Sequence, residues 1–325
     1  MLNFKKDIIW VFSLENPERS PSNFSGGILP ASYLEISKLV FLKSSEAKEI
    51  LQKFRPKLII INKAFHDNVV NLARSAKELN IKVISIFDDM SFDYSNTIFV
   101  NRLETNLALA KLSDVIVVKT KKAASVLYDN TGLKAKIVQD PIRYPTSKPL
   151  SKIRYPLEVS WFGMHTNHDT LKATLDDMTN LNQDVNLKII TNHLDNLKKM
   201  LNKTDYKTIK INFIEWTFSM DQEVINTDIV ILPYPNDKIR DVKSSNRIVD
   251  SLNLGRCVVI SDAKQFEEFR NYCFFGNINK GLKFVLENND IAIEKTIKGQ
   301  KYVKKNYSLE VIANKWVSLI EKILI

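Results

Sequence analysis

The stretch that decides the fold is residues 228–262, DIVILPYPNDKIRDVKSSNRIVDSLNLGRCVVISD. It opens with an apolar, β-branched run, Asp228 to Tyr234, which is typical of a strand buried on both faces of a parallel sheet. Prolines end this run, a polar loop follows, and a helix is predicted to begin near Lys243 and to stop at Gly255. A second buried strand, Cys257 to Ser261, comes next. The stretch therefore predicts one strand–helix–strand unit of a doubly wound α/β sheet.

Cationic and amide side chains stand where this helix begins. Lys243, Asn246 and Arg247 follow a loop at the carboxyl end of a parallel strand, which is where doubly wound folds bind anionic ligands. Because cations at a helix start oppose the helix dipole slightly, this placement favours a bound anion over ordinary solvated side chains. We therefore predict an anion-binding site at 243–247.

The same alternation of strands and helices extends from this stretch in both directions. The predicted N-terminal strands are 7–14, 38–42, 57–62, 82–87, 115–119 and a short one ending at 142, and the C-terminal strands before the opening stretch are 158–162, 187–191 and 209–214. Between the two sets, residues 143–156 hold three prolines and four basic residues and are predicted to be an interdomain linker.

This pattern predicts an α/β protein with two doubly wound Rossmann-like domains, residues 1–148 and 149–307, followed by a terminal helix at 308–325. The terminal helix is amphipathic, with Val311, Ile312, Trp316, Leu319 and Ile320 on one side. We expect that apolar side to pack back toward the N-terminal domain.

The composition limits the classes of partner. The formal net charge is +10, but the lysines are spread along helices and no nucleic-acid motif is present, so we expect no nucleic-acid partner. A basic balance also suits an enzyme that handles phosphorylated donors, or one that rests on an anionic membrane face. With no run of about 18 apolar residues and no signal-peptide pattern, we expect a cytoplasmic protein, with peripheral contact to the inner face of the membrane left open.

Metal and disulfide chemistry are not expected. Cys257 and Cys273 both fall in apolar runs and are predicted to be buried thiols. The four histidines lack ligand spacing, and no loop offers a convincing Asp-x-Asp clamp. The sequence therefore predicts no metal site.

A glycine pair follows the first strand. Gly26 and Gly27 precede a segment, ILPASYLEI, that can form a helix. Glycines at this place let backbone N–H groups approach a phosphate closely, and the alternative is a plain flexible turn.

Four stretches, in this order and spacing, resemble the group-1 (family 4-like) glycosyltransferases of the GT-B fold. They are NLALAKLSDVIVVKT with AASVLYDNTG and IVQDPI (106–142), VSWFGMHTNHDTL (159–171), INFIEWTFSMDQEVINTDIVILPY (211–234) and KSSNRIVDSLNLGRCVVIS (243–261). The resemblance implies two domains facing each other across a cleft, with a nucleotide-sugar donor on the C-terminal side and an acceptor on the N-terminal side. It implies no cofactor and no metal.

The resemblance also implies roles for single residues. Asp250, five positions before Gly255, matches the acidic residue that binds the donor ribose. Val242 stands where the first Glu of the family's E-x7-E pair is expected, which leaves the retaining mechanism a family expectation only. Gly163 matches the glycine that follows a strand in the family, and the segment around Trp216 would flank the base. Lys243, Asn246 and Arg247 would then grip the diphosphate, with Gly26 and Gly27 facing the donor phosphates.

Candidate catalytic residues lie at strand ends of the N-terminal half. His66 is a candidate general base toward an acceptor hydroxyl, and Asp88 or Asp89 would orient the acceptor. For His66 the alternative is a surface histidine after a strand, and for the two aspartates it is a cap of the next segment. His165 and His168 follow Gly163 and would touch the donor sugar or phosphate, unless they are ordinary loop residues.

These observations predict a glycosyltransferase that moves a sugar from a nucleotide-diphosphate sugar to a hydroxyl of a glycan, lipid-linked or other acceptor, in surface polysaccharide or glycoconjugate synthesis. Val242 supports an alternative, a catalytically silent GT-B scaffold that binds a partner or glycan. A third alternative is a nucleotide-sugar epimerase of the same fold.

Overall fold

The computed structural model describes residues 4–41, 46–63, 66–88, 92, 100–201, 206–235 and 237–324. The chain divides into two compact units. Unit 1 consists of Met1–Arg143, Lys238–Ser244 and Asn306–Ile325, and unit 2 consists of Tyr144–Asp237 and Ser245–Lys305. The segment 238–244 thus belongs with unit 1, although the residues on either side of it belong to unit 2.

The described residues form twelve strands and fifteen α-helices. In chain order the strands are β1 (Ile8–Phe12), β2 (Ser37–Val40), β3 (Leu58–Asn62), β4 (Lys82–Phe87), β5 (Val115–Val118), β6 (Ala135–Ile137), β7 (Leu157–Phe162), β8 (Val185–Thr191), β9 (Ile209–Glu215), β10 (Ile229–Leu232), β11 (Cys257–Ile260) and β12 (Phe274–Phe275). The helices are α1 (Phe4–Asp7), α2 (Pro21–Asn23), α3 (Leu29–Tyr33), α4 (Ala47–Phe54), α5 (Asn68–Glu78), α6 (Val100–Leu112), α7 (Lys121–Thr131), α8 (Asp169–Met178), α9 (Leu194–Leu201), α10 (Asp221–Val224), α11 (Lys238–Asp241), α12 (Asn246–Asn253), α13 (Ile278–Glu287), α14 (Asn289–Tyr307) and α15 (Leu309–Leu324).

Unit 1 contains a six-stranded sheet in the order β2-β1-β3-β4-β5-β6, and every pair of neighbours is parallel. Strands β1 and β3 are buried along their whole length, because each is a continuous apolar run that enters the core on both faces. The strand order reverses between β1 and β3, so the carboxyl ends of these two strands mark the switch point of unit 1.

Unit 2 contains a second six-stranded parallel sheet, in the order β12-β11-β10-β7-β8-β9. The opening stretch of the sequence supplies β10, α12 and β11, and both strands are fully buried, as predicted. Here the order reverses between β7 and β10, where Val159 pairs with Ile229. This is the strand order of dinucleotide-binding folds, whose ligands bind at the carboxyl ends of the strands beside the switch point.

The predicted linker is partly built into unit 2. Leu150 N donates to Gly255 O at 3.1 Å, and Arg256 Nη2 donates to Lys148 O at 2.7 Å. Gly255 has φ +67°, and a Cβ there would lie 2.5 Å from Pro149 Cα, so both its conformation and this close approach require glycine. Residues 148–150 of the predicted linker therefore lie against the end of α12, and the change from unit 1 to unit 2 falls at Arg143–Tyr144, where that linker begins.

The two cysteines are buried and unpaired, as predicted. Burial raises the pKa of the Cys257 thiol to about 12. Within the residues that the structure describes, no helix is both long and apolar enough to cross a membrane.

Helix α15 packs on the sheet of unit 1, as its amphipathic pattern predicts. Ile312, Trp316 and Ile320 join a core cluster with residues of β1, β3, β4 and β5. The rings of Trp316 and Trp10 meet edge to face, with centroids 4.9 Å apart, and both side chains are almost fully buried. The end of the chain therefore completes the core of the unit in which the chain begins.

We predict that Trp316→Ala lowers the free energy of unfolding of unit 1 by about 3–5 kcal/mol, because it leaves a large cavity against Trp10. Denaturant unfolding monitored by tryptophan fluorescence and circular dichroism measures the change. Asn314→Ala, at an exposed position of the same helix, is the matched control and is expected to change the free energy of unfolding by less than about 0.5 kcal/mol. Equal stability of Trp316→Ala and wild type would contradict this packing role.

Candidate functional site

The carboxyl edge of unit 2 holds a fixed guanidinium at the switch point. Arg247 lies in the first turn of α12, and its Nε donates to the Tyr234 hydroxyl at 3.2 Å while its guanidinium lies over the Tyr234 ring, 4.6 Å from the centroid. Nη1 donates to Phe162 O, the last residue of β7, at 3.4 Å. The end of β7 and the loop after β10 therefore hold the planar guanidinium of Arg247 in a set orientation. This orientation suits bidentate binding of a phosphate.

Gly163 lies beside this cation. A Cβ at Gly163 would stand 3.3 Å from Arg247 Nη1 and 3.2 Å from the Trp161 ring, which is tighter than ordinary contact. A side chain at this position would therefore crowd the guanidinium. Gly163 and Arg247, which the sequence analysis named separately as candidate donor-binding residues, are therefore neighbours in the structure.

The other predicted cation, Lys243, belongs to unit 1, whereas the predicted amide, Asn246, belongs to unit 2. Lys243 belongs to the segment of unit 1, and its N–H donates to Arg240 O at 3.1 Å. Asn246 is the first residue of α12 in unit 2, so the helix begins three residues later than predicted. Both side chains are half-buried. Their roles toward a diphosphate stay predictions.

Asp250 is buried in the middle of α12, with 1% of its surface exposed. Asp250 is therefore not a solvent-facing residue of the helix. A buried carboxylate is costly unless it is hydrogen-bonded or paired. Trp216 follows β9, is half-buried and meets Phe218 edge to face at 4.9 Å. Ribose binding by Asp250 and base contact by Trp216 both stay predictions.

Val242 lies in the apolar core of unit 1, with 2% of its surface exposed. Its carbonyl accepts a hydrogen bond of 3.1 Å from Thr120 Oγ1, the hydroxyl that also caps helix α7 through Ala123 N. The position at which the family resemblance expects a Glu is therefore a packing position here. A carboxylate at 242 would have to lose its hydration within a hydrophobic cluster.

The glycine pair of unit 1 lies in a π-helical turn, Phe24–Ile28, rather than in a flexible turn. A Cβ at Gly27 would stand 2.6 Å from the Phe12 ring, and one at Gly26 would stand 3.1 Å from Lys119 Nζ and 3.2 Å from Asp140 Oδ1. Both glycines are buried, and close packing explains each of them. Contact of Gly26 and Gly27 with donor phosphates stays a prediction.

Sequence reasoning missed the polar pairs at the carboxyl edge of unit 1. Lys119 and Asp140 form a nearly buried ion pair at 2.7 Å, and Lys63 and Asp88 form another at 2.6 Å. At the end of β3, Asn62 Nδ2 donates to the buried Asn23 Oδ1 at 2.5 Å. The available signal was positional, because Lys63 and Asp88 directly follow predicted strands and Asn62 and Lys119 end them.

Two of the predicted catalytic candidates, His66 and Asp88, follow strands β3 and β4 of unit 1. His66 is exposed and follows β3, with its carbonyl accepting from Val69 N at 3.3 Å. Asp89 lies outside the described residues. Within the part of the chain that the structure describes, no group of three or more His, Cys, Asp or Glu side chains is arranged to hold a metal ion.

Comparisons with known proteins were made for sequence and for structure. No protein-family model matches the chain, and no curated protein matches it in sequence. The chain is similar in structure to Anabaena Alr3699/HepE in complex with UDP, with a TM-score of 0.73, 11% identity, and 97% of this chain and 100% of that chain covered. It is similar to an E. coli protein named for trehalose-6-phosphate and bound with UDP-2-fluoro glucose, with a TM-score of 0.66, 8% identity, and 96% and 98% covered.

A third similar structure is a predicted UDP-N-acetylglucosamine 2-epimerase of Listeria monocytogenes, with a TM-score of 0.53, 10% identity, and 97% of this chain and 96% of that chain covered. At these identities the likeness concerns the fold. The chain has the two-sheet α/β fold of the GT-B glycosyltransferases, as the sequence resemblance implied.

We predict that Val242→Glu, which introduces the acid that the sequence resemblance expects at this position, lowers the free energy of unfolding by at least about 3 kcal/mol at pH 8, because the carboxylate is buried without a partner. The loss is expected to be smaller at pH 5, where the buried carboxyl holds a proton. Val242→Ile is the apolar control, with an expected loss under about 1.5 kcal/mol. Urea unfolding at both pH values measures the effect, and wild-type stability of Val242→Glu at pH 8 would place residue 242 outside the core.

Proposed function

We propose that the protein is a glycosyltransferase that moves a sugar from a nucleotide-diphosphate sugar to an acceptor hydroxyl. The observation that carries the proposal is the Arg247 guanidinium, held by Tyr234 and Phe162 O beside Gly163 at the switch point of unit 2. Doubly wound sheets bind nucleotides at this place. The structurally similar HepE and E. coli proteins are named in complexes with UDP and with UDP-2-fluoro glucose, which makes UDP the first nucleotide to test.

Sugar transfer from a nucleotide-diphosphate sugar requires positive charge near the departing diphosphate. Transfer of the sugar leaves negative charge on the diphosphate, and preorganised cations and N–H groups stabilise that charge in the transition state. Arg247 supplies a planar fork, and Lys243 a point charge. With these groups on the leaving side, we propose a reaction that needs no metal and no cofactor.

The acceptor side is assigned to unit 1. His66 is the proposed general base, and Asp89 is proposed to orient the acceptor hydroxyl. A glycan or lipid-linked acceptor, in surface polysaccharide or glycoconjugate synthesis, fits a basic protein that works at the anionic inner face of a membrane. Retention of anomeric configuration is the family expectation, and Val242 in place of the family's Glu weakens it.

Two other functions have an observation in their favour. The packing of Val242 in the core of unit 1 favours a catalytically silent scaffold, because the resemblance places a functional acid there. The likeness to the Listeria protein favours a nucleotide-sugar epimerase. Incubation with UDP-sugars separates the three, since an epimerase converts the sugar without an acceptor, a transferase hydrolyses or transfers it, and a scaffold leaves it unchanged.

We predict that Arg247→Ala weakens UDP binding by about 10-fold to 100-fold, because a charge-assisted hydrogen bond to phosphate contributes about 1.5–3 kcal/mol. Isothermal titration calorimetry measures the dissociation constant, and the melting temperature of the variant shows whether unit 2 remains folded. The double variant Lys243→Ala, Arg247→Ala is expected to bind UDP more weakly still.

The matched control is Arg270→Ala. Arg270 is also an arginine of unit 2, but it is exposed and paired with Glu267 and Asp262. Its loss is expected to leave UDP affinity unchanged. If the folded double variant binds UDP as tightly as wild type, the donor site proposed here is wrong.

A further inference from the structure

The loop between β10 and α12 is fixed to unit 2 at both of its ends. At the first end, the buried Tyr234 donates its backbone N–H to Ser261 Oγ at 3.0 Å. At the second end, Val249 N donates to Ser245 O at 2.9 Å, so Ser245 accepts the first hydrogen bond of α12. Both ends of the loop therefore belong to the unit that carries Arg247.

The middle of the same loop is packed into unit 1. Residues 238–244 belong to that unit, and Val242, with 2% of its surface exposed, lies in one of its apolar clusters. The carbonyl of Val242 accepts from Thr120 Oγ1 at 3.1 Å, and the same hydroxyl oxygen accepts from Ala123 N to cap α7. Val242 is thus an anchor of the loop, held in unit 1 through both its side chain and its backbone.

The chain between this anchor and the donor site is short. Only two residues, Lys243 and Ser244, separate Val242 from Ser245 and the start of α12. Each residue adds about 3.5 Å of reach even when the backbone is fully extended, so two residues absorb only a few ångströms of movement. A displacement of Val242 is therefore passed on to the first turn of α12, in which Arg247 lies.

Packing at the anchor also bears on how much order the nucleotide has to impose. Lys243, the second proposed cation of the donor site, directly follows Val242. When Val242 leaves its cluster, residues 238–244 are held at the two ends of the loop only and gain conformational freedom. A nucleotide that binds Lys243 and Arg247 must then remove this freedom, and the cost of ordering lowers the affinity.

We propose that Val242 is a positioning residue of the donor site, and that its packing in unit 1 holds Lys243 and the first turn of α12 in place for nucleotide binding. The inference rests on the proposed function, because it gives an apolar core residue a role in that donor site. Coupling of this kind is reciprocal, so a bound nucleotide in turn stabilises the packing of residues 238–244.

The first test is the UDP affinity of Val242→Ala, measured by isothermal titration calorimetry on the full chain. Loss of two methyl groups loosens the anchor, and we expect the dissociation constant to rise about threefold to tenfold. Val242→Ile, which keeps an apolar side chain in the cluster, is expected to bind UDP as wild type does. The melting temperature of each variant shows that it is folded at the temperature of the titration.

The matched control is Val69→Ala. Val69 lies on α5, is fully buried in the same apolar cluster and is outside the loop. Its truncation removes the same two methyl groups and is expected to destabilise unit 1 similarly, while UDP affinity stays within about twofold of wild type. A merely structural role of Val242 predicts no difference between the two variants. Equal dissociation constants for Val242→Ala and Val69→Ala would therefore overturn the inference.

Hydrogen exchange of the full chain, with and without UDP, tests the reciprocal effect. UDP is expected to slow amide exchange in residues 238–244 and, through the bond between Thr120 and Val242, at the start of α7. In Val242→Ala the protection of α7 is expected to be lost, and α5 serves as the internal reference. If wild type binds UDP without protection of either segment, the inference is wrong and the proposed function stands. If wild type binds no UDP, both are overturned.

Discussion

Burial of both faces of two parallel sheets is the constraint on which the rest of this structure depends. Strands β1, β3, β10 and β11 expose neither face, so their side chains are apolar and their backbone groups are used in the ladders. Many of the buried polar side chains therefore lie where strands end. In unit 1 these places hold Asn62, Lys63, Asp88 and Lys119, and in unit 2 they hold Gly163 and Thr191, with Tyr234 two residues beyond the end of β10.

The same burial requires that every charge near the sheets be satisfied. Arg256 is 7% exposed, and its guanidinium donates to the carbonyls of Ile225, Thr227, Lys148 and Leu254, so one cation joins the end of α12 to two other segments of unit 2. Desolvation lowers the pKa of Arg256, but these carbonyls compensate for the lost hydration. Arg154 forms a forked pair with the buried Asp228 at the start of β10. These charges hold unit 2 together, whereas Arg247 is held by one hydroxyl and one carbonyl at its edge.

Sequence patterns predicted the strands well, because a short, continuous apolar run such as that within Lys57 to Asn62 is typical of a strand buried on both faces. Gly163 and Arg247 are each recognisable by their place after a strand or at a helix start, and the structure places them next to each other, but their binding roles stay predictions. Pairings across long separations were not predictable, since nothing local connects Arg154 with Asp228, 74 residues away. The contact of the predicted linker with unit 2 was not predictable either. Proline marks extended backbone, but it does not say whether that backbone runs through solvent or against Gly255.

Val242 shows why a motif alone does not assign a mechanism. Spacing within the resemblance identified the position, but only the structure shows that its side chain lies in the core of unit 1 and that its carbonyl is bonded to Thr120. A position used for packing cannot also present a carboxylate to a substrate, because the two uses require opposite solvation. In the proposed reaction the charge on the departing diphosphate is then stabilised by cations and N–H donors, and the edge of unit 2 offers one such cation in Arg247. In the proposed reaction, stabilisation of the leaving group is thus separate from acid–base chemistry, which falls to the strand ends of unit 1.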